Sequence, residues 1–394
     1  PQARAALLPH LDLQGSVERL QDVYDGSPEF IRTQQTYSLQ LVQPLYLREA
    51  RKALARADAL VAQAEARYQA ARQGLILRLA EAYLGVLRAR AQLAFVEADR
   101  KATQRQLEQA RQRFKVGMVA VTDVEEAKAA RDRVEAERVL AENALASARE
   151  ALQELTGRPP GTLEELGPAL PLVRPDPADV ERWVRSALEQ NFEVLAQAQA
   201  LRAAREEVER RRSGHYPTLS LVANDTYIDR KFNFGSGRVF PLRGQNRSLA
   251  LQLQLPLYSG GAVSAGVREA LHRQRQAEEE LERVRRQVTR QTRDAYRGVE
   301  ASLRRVKALE QALRSARTAL EATQAGFEVG TRTTVDVLQA QRNLFRARRD
   351  LADARYDYVI NLLRLQQAAG SLDEAGLRRV AGWFVPPSQG GEKK

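Results

Sequence analysis

The chain is 394 residues long, sets 62 Lys and Arg against 50 Asp and Glu for a net charge of +12, and contains no Cys. Disulfides and thiolate metal sites are thereby excluded, and His10, His215 and His272 stand too far apart for the usual metal spacings. Phosphate-binding loops and nucleophile elbows are absent too, which argues against an enzyme and leaves no cofactor to expect. Charged residues make up 28% and aromatics 6%, the composition of long helices and coiled coils. The positive charge invites a nucleic-acid reading. Arg nevertheless alternates with acid, as in Arg133-Val134-Glu135-Ala136-Glu137-Arg138, which is a solvated, salt-bridged face and not a basic stripe. No nucleic-acid partner is therefore expected. No stretch reaches the ~20 apolar residues of a membrane-spanning helix, and no signal peptide is visible at Pro1-Gln2-Ala3-Arg4.

The chain is written twice. Leu8-Pro9-His10-Leu11-Asp12-Leu13 returns as Tyr216-Pro217-Thr218-Leu219-Ser220-Leu221, and Gln43-Pro44-Leu45-Tyr46 as Leu255-Pro256-Leu257-Tyr258. Phe114-Lys115-Val116-Gly117, followed by Thr122-Asp123-Val124, returns as Phe327-Glu328-Val329-Gly330, followed by Val335-Asp336-Val337. Leu155-Thr156-Gly157 returns as Ala368-Ala369-Gly370, all in one order and at offsets of about 208 to 213 residues. A period this long is no solenoid; it marks two large units of one design.

Taken in chain order, the first repeat, 1–175, reads as two strands over 10–46, a long helix over 46–114, a tip turn over 115–121, a return helix over 121–157 and an irregular Pro- and Gly-rich segment over 158–177. The second, 176–394, reads as a helix over 178–212, strands over 217–258, a long helix over 258–328, a turn over 329–334, a return helix over 334–369 and a tail over 370–394. Leu249, Leu251, Leu253, Leu255 and Leu257 alternate with polar residues, the pattern of a half-buried strand. Polar loops, Tyr24 to Pro28 and Phe232 to Gln245, separate the strands of each pair. Each long helix lacks Pro, repeats its apolar residues at three- and four-residue steps, and has a length of roughly 100 Å. Such helices must lie side by side as coiled coils. Thr122 or Thr334 is placed to cap the returning helices. The return helices cover about half the length of the long ones, so a second short helix stacks on the first and the Pro- and Gly-rich segment falls between them as a girdle at mid-height, with the tail as its counterpart. About 35 residues of helix precede Pro217 but only eight residues precede Pro9, which implies a further helix segment, and any signal peptide, ahead of Pro1 in the native protein.

Four strands cannot close a barrel, and their edges would be a liability. Three copies would supply twelve, enough to hold open water, and the apolar alternation suits an outward face in lipid. Tyr46 and Tyr258 sit where strands meet helices and are placed for an aromatic belt at a membrane interface; ordinary packing at a helix start accounts for them equally well.

Over almost its whole length the sequence resembles TolC and the related outer-membrane efflux proteins. The stretches that carry the resemblance are Val329-Gly330-Thr331-Arg332-Thr333-Thr334-Val335-Asp336-Val337-Leu338, Asp350-Leu351-Ala352-Asp353-Ala354-Arg355-Tyr356-Asp357-Tyr358-Val359-Ile360-Asn361, Val116-Gly117-Met118-Val119-Ala120-Val121-Thr122-Asp123-Val124 and Leu255-Pro256-Leu257-Tyr258-Ser259-Gly260-Gly261. The resemblance implies a mainly α fold with β: a homotrimeric channel in which each protomer gives four strands to a twelve-stranded barrel, long helices to an α-barrel, and a mixed equatorial domain. It implies passive export of drugs or secreted proteins through the outer membrane, with the helical tunnel in the periplasm, a periplasmic adaptor as partner, and an inner-membrane pump that drives transport. Adaptor contacts would map to the tips, at Val116, Gly117, Met118, Val329, Gly330 and Thr331. The tip gate would map to an aspartate ring at Asp336, a latch arginine at Arg332, and its partners Thr122 and Asp123. Two positions depart from the pattern: Phe327 stands where a latch tyrosine is expected, and Gln339 where a second aspartate ring is expected. Both departures imply a looser closure with weaker cation block. A periplasmic adaptor is the rival reading, but no lipoyl-like β domain is legible.

Overall fold

The computed structural model describes residues 1–22, 30–167, 170–233 and 239–386. The loop expected at Tyr24 to Pro28, the middle of the Phe232–Gln245 segment and the end of the tail lie outside the described residues. After a short turn of helix at Gln2–Ala5 come strands β1 (His10–Asp22) and β2 (Phe30–Tyr46) and helices α1 (Arg48–Lys115) and α2 (Val121–Thr156). Strand β3 (Glu165–Leu166), helices α3 (Val180–Gln190) and α4 (Phe192–Arg212) and strands β4 (Thr218–Asn233) and β5 (Val239–Gln254) follow. The chain closes with α5 (Ala262–Glu328), α6 (Thr334–Ala368), α7 (Glu374–Ala381) and β6 (Phe384–Val385). It divides into two units, Pro1–Ala66 with Leu195–Arg283, and Arg67–Val194 with Val284–Lys394.

The first unit holds an antiparallel sheet of order β1-β2-β4-β5. Side chains alternate across a sheet, so the register fixes which residues share a face. Leu11, Leu41, Ala223 and Leu249 form one cross-strand row, and Leu221 pairs with Leu251 and Leu219 with Leu253 on the same side. The opposite face carries Asp12, Gln40, Asn224 and Ser248 in the adjacent row. β5 is not the half-buried strand its alternation suggests. It is exposed along both faces, with Leu249, Leu251 and Leu253 at 72%, 64% and 68% of full accessibility. As an edge strand it has a neighbour on one side only, and none of the described residues covers its leucines. The strand also stops at Gln254, short of the expected 258, because Pro256 has no N–H for a ladder.

Below the sheet, α1 and α4 are joined by charge. Arg48 pairs with Glu209 at 3.3 Å, Lys52 with Glu206 at 3.1 Å and Arg56 with Glu207 at 3.4 Å, while Arg210 reaches Glu49. Glu207 also accepts hydrogen bonds from Arg210 (2.8 Å) and Arg211 (3.0 Å). The Arg210 bonds hold its carboxyl down at about 2 from an ordinary 4.5. The contribution of this carboxylate is therefore present above its unfolded pKa and is lost only as pH falls toward 2.

The second unit is a pair of helical hairpins. In α2, Ala127, Val134 and Ala141, then Leu145 and Leu152, recur every seven residues, and they pack in successive clusters with Leu107 and Ala110, Val96, and Val86 of α1. A seven-residue repeat is the seam of a coiled coil. The largest cluster joins Leu84 and Leu87 of α1, Val299 and Val306 of α5 and Val359 and Leu363 of α6. The Pro- and Gly-rich segment pairs with the tail: Glu165 and Leu166 of β3 lie antiparallel to Val385 and Phe384 of β6. Phe384 stacks edge-on against Tyr83 of α1 at 5.6 Å.

The single helix expected over 178–212 is two. It breaks at Asn191, whose Oδ1 accepts from the N–H groups of Glu193 (2.9 Å) and Val194 (3.4 Å) while its Nδ2 donates to the Ala368 carbonyl at 3.0 Å. Asn191 thus caps the second helix and ties the break to the end of α6. Gly370 makes this approach possible: its φ is +75°, and a Cβ there would stand 2.4 Å from the Gln190 carbonyl oxygen.

Candidate functional site

Both hairpins of the second unit turn in the same way. α1 ends as the N–H of Gly117 bonds to the Phe114 carbonyl at 2.9 Å and that of Met118 to the Arg113 carbonyl at 2.9 Å. α5 ends as Gly330 bonds to Phe327 at 3.2 Å and Thr331 to Gly326 at 2.8 Å. Gly117 and Gly330 have φ of +73° and +80°, the left-handed conformation that closes a helix and that side chains resist. Val116, Met118 and Val329 project from these turns into solvent, Met118 at 76% of full accessibility. Apolar side chains gathered at the end of a charged helical hairpin are an unusual exposure.

The returning helices start differently. At α6 the Thr333 Oγ1 accepts from the Asp336 N–H at 3.3 Å, and Asp336 Oδ2 accepts from the Thr333 N–H at 2.8 Å and its hydroxyl at 2.9 Å. This is a full capping box. The hydrogen bonds from Thr333, backbone first, hold the Asp336 carboxyl below its usual value. At α2 the cap position is Ala120, which offers no side-chain acceptor, and only the Ala120 N–H to Asp123 Oδ2 bond forms, at 3.0 Å. The expected caps Thr122 and Thr334 both lie inside their helices. A box needs the hydroxyl three residues ahead of the acid, and that spacing selects Thr333 before Asp336.

A cleft of about 520 Å³ between the hairpins collects Asp123, Phe327, Arg332 and Gln339. Asp336 and Thr122 do not line it. Arg332 lies against Gly326, where a Cβ would stand 2.8 Å from the arginine Cγ. Phe327, which lacks a latch hydroxyl, is engaged another way: the Arg113 guanidinium sits 4.6 Å from its ring centre, a cation–π contact. A second cleft of about 310 Å³ shares Arg133, Gln339 and Arg342 with the first and adds Asp99 and Glu137. Burial pushes the Asp99 carboxyl up, against the pull of Arg342. Sequence reading missed Arg113, Arg133, Arg342 and Asp99. Arg342 follows Gln339 by three residues, one helical turn, and was legible on that spacing. Asp99 and Arg113 sit on the other hairpin, and no sequence signal joined them to the site.

Tyr46 closes β2 with the Arg51 guanidinium 5.9 Å from its ring centre, and Tyr258, between β5 and α5, stands 89% exposed. Among the described residues no group of His, Cys, Asp and Glu could hold a metal.

Comparison with known proteins gives a consistent result. A family model described as outer membrane efflux protein matches residues 1–158 and 183–371. The chain is 37% identical to outer membrane protein TolC of Vibrio cholerae, over 96% of this chain and 85% of that one. It is 32% identical to the alkaline protease secretion protein AprF of Pseudomonas aeruginosa, over 97% of this chain and 80% of that one. Its fold matches the crystal structure of the outer membrane protein VceC of Vibrio cholerae with a TM-score of 0.78, at 24% identity, over 94% of this chain and 88% of that one.

Proposed function

The chain belongs to the outer membrane efflux protein family, and from that premise we infer how it works as an outer-membrane exit duct for efflux or secretion. The family is one of channels, not catalysts. Three copies close their sheets into a twelve-stranded barrel, β5 of one copy pairing with β1 of the next. The observation that carries this is β5 itself, an edge strand whose leucines have no cover among the described residues. Lipid on one face and a neighbouring β1 along the open edge would supply it. The two repeats, 1–175 and 176–394, are the equivalent halves of the duct wall, and the β3–β6 segment with α7 is its equatorial girdle.

The hairpin tips form the periplasmic gate. Arg332, Asp123, Phe327 and Gln339 meet in one cleft, and Asp336 and Thr122 stand beside it for contact with a neighbouring copy. With Gln339 neutral, Asp336 supplies one ring of charge. Val116, Gly117, Met118, Val329, Gly330 and Thr331 are the surface that a periplasmic adaptor engages, coupling the duct to an inner-membrane pump. Tyr46 and Tyr258 mark the periplasmic membrane interface. The test is single-channel conductance of detergent-purified protein in a planar bilayer, beside its mass by light scattering. Trimers of small, steady conductance that rises in Arg332→Ser are expected; monomers without conductance would overturn the duct, and unchanged conductance in Arg332→Ser would overturn the latch.

A further inference from the structure

The leucine face of the sheet has a boundary, and the boundary is slanted. The last residue of its apolar run is Leu249 on β5, Ala223 on β4, Tyr37 on β2 and Val17 on β1. Leu249 and Ala223 are in one row, but Tyr37 pairs with Tyr227, and Val17 lies in the row of Gln35 and Asp229. The apolar edge therefore climbs across the rows from β5 to β1. Strands tilted by about 35–45° in a barrel wall bring such a diagonal level with the membrane plane.

Directly beyond this edge the same face turns charged. Arg247 donates through Nε to Asp225 at 3.2 Å, Arg243 through Nε to Asp229 at 3.1 Å, and Gln245 Nε2 to Asp225 at 2.8 Å. Tyr227 stands between the two aspartates on β4. Both arginines are bound by Nε alone. Their terminal Nη1 and Nη2 groups make no hydrogen bond among the described residues, and the side chains are 66% and 74% exposed. Each aspartate thus aims a guanidinium whose outer fork is free. Arg19 and Lys231 share the face beyond the edge, so among the described residues four cations stand there against two carboxylates. Solvated strand ends have no need for arginines anchored in this way, whereas a free planar fork matches a phosphate with two parallel bonds. Four residues on one face set Arg243 and Arg247 roughly 13 Å apart.

We propose that Arg243 and Arg247 form a binding site for the phosphates of lipid headgroups in the leaflet distal to the helices. Tyr227 lies at the headgroup level between them, and Asp225 and Asp229 are positioning residues. The site rests on the exit-duct reading, which places this face in the membrane. The experiment reconstitutes the full chain in phosphatidylcholine vesicles doped with diphosphoryl lipid A. It reads the lipid retained on the detergent-extracted protein by mass spectrometry, and pore conductance from the same preparation. Wild type should retain diphosphoryl lipid A over phosphatidylcholine. Arg243→Gln/Arg247→Gln should retain about tenfold less, with conductance unchanged. Arg243→Lys/Arg247→Lys should recover part of the loss, because an ammonium keeps the charge without the fork. The single Gln variants carry the same expectation at smaller size if the double variant fails to insert. Equal retention by wild type and the Gln variants would overturn the site while leaving the duct intact. So would inorganic pyrophosphate binding the protein in detergent as tightly as lipid A, since the site would then read free phosphate. A wild type that never inserts would sink site and duct together.

Discussion

The first and second hairpin tips share a turn and part company three residues after its glycine. Gly117 and Gly330 take the same left-handed conformation and satisfy the same carbonyls of the preceding helix. Thr333 and Asp336 then lock the start of α6 with hydrogen bonds in both directions, whereas Ala120 leaves α2 with the Asp123 half alone. The turn is a matter of backbone geometry, which both copies of a duplicated unit must keep. The cap is a matter of side chains, in which the copies are free to differ. The second tip is thus the more firmly started helix, and its acid is held in a bonding pattern that the first tip's acid lacks.

The largest test of the shared part is glycine replacement. Gly117→Ala and Gly330→Ala should each cost about 1–2 kcal/mol in denaturant unfolding, the penalty for a left-handed residue with a side chain; a clear inequality between them would show that the turns are not equivalent. The capping difference comes next. Thr333→Ala should cost about 1 kcal/mol, and Ala120→Thr should stabilise α2 by a similar amount if an acceptor is all that the first tip lacks. Hydrogen exchange at the first turns of α2 and α6 would report both. Phe327→Leu, which removes the ring beneath Arg113, should cost about 0.5–1 kcal/mol, read as the coupling in a double-mutant cycle with Arg113→Gln. The smallest effect is in acid. Asp336 titrates below its ordinary value, so its contribution is present above the unfolded carboxylate pKa and lost as pH falls through the lower folded one. Acid unfolding of α6 should shift in Thr333→Ala, and no shift would mean that the box does not hold the carboxylate.

Much of this was legible in the sequence for reasons that can be named. Strand alternation, Pro-free helices with apolar steps of three and four, and Val-Gly turns are local signals, and the strands, long helices and turns of the structure coincide with them apart from the early end of β5. The caps expected at Thr122 and Thr334 failed locally, on spacing; the larger failures are long-range. Nothing within 178–212 announces a break; it requires the Ala368 carbonyl beside Asn191 and a Cβ-free Gly370 beside Gln190. Alternation in β5 correctly separated two faces but said nothing about whether either was covered, since cover depends on a neighbouring strand. At the tips, Phe327 was identified as a missing hydroxyl, while its partner Arg113 lies over 200 residues away in the chain. Family resemblance pointed to the turn end of each hairpin, and the cleft there brings together four of the six expected gate positions.

The two-sided exposure of β5 also has a thermodynamic consequence for the protomer. In the trimer proposed above, β5 would draw its second edge and the cover of its leucines from other molecules, so that part of the stability of the sheet would follow mass action. Melting of the sheet should follow protein concentration and lipid supply, while the coiled hairpins, whose cores close within one chain, should melt at a temperature indifferent to both. On that reading a lone protomer would be complete in its helices and incomplete in its strands, with the edge of β5 open to mispairing until a neighbour covers it.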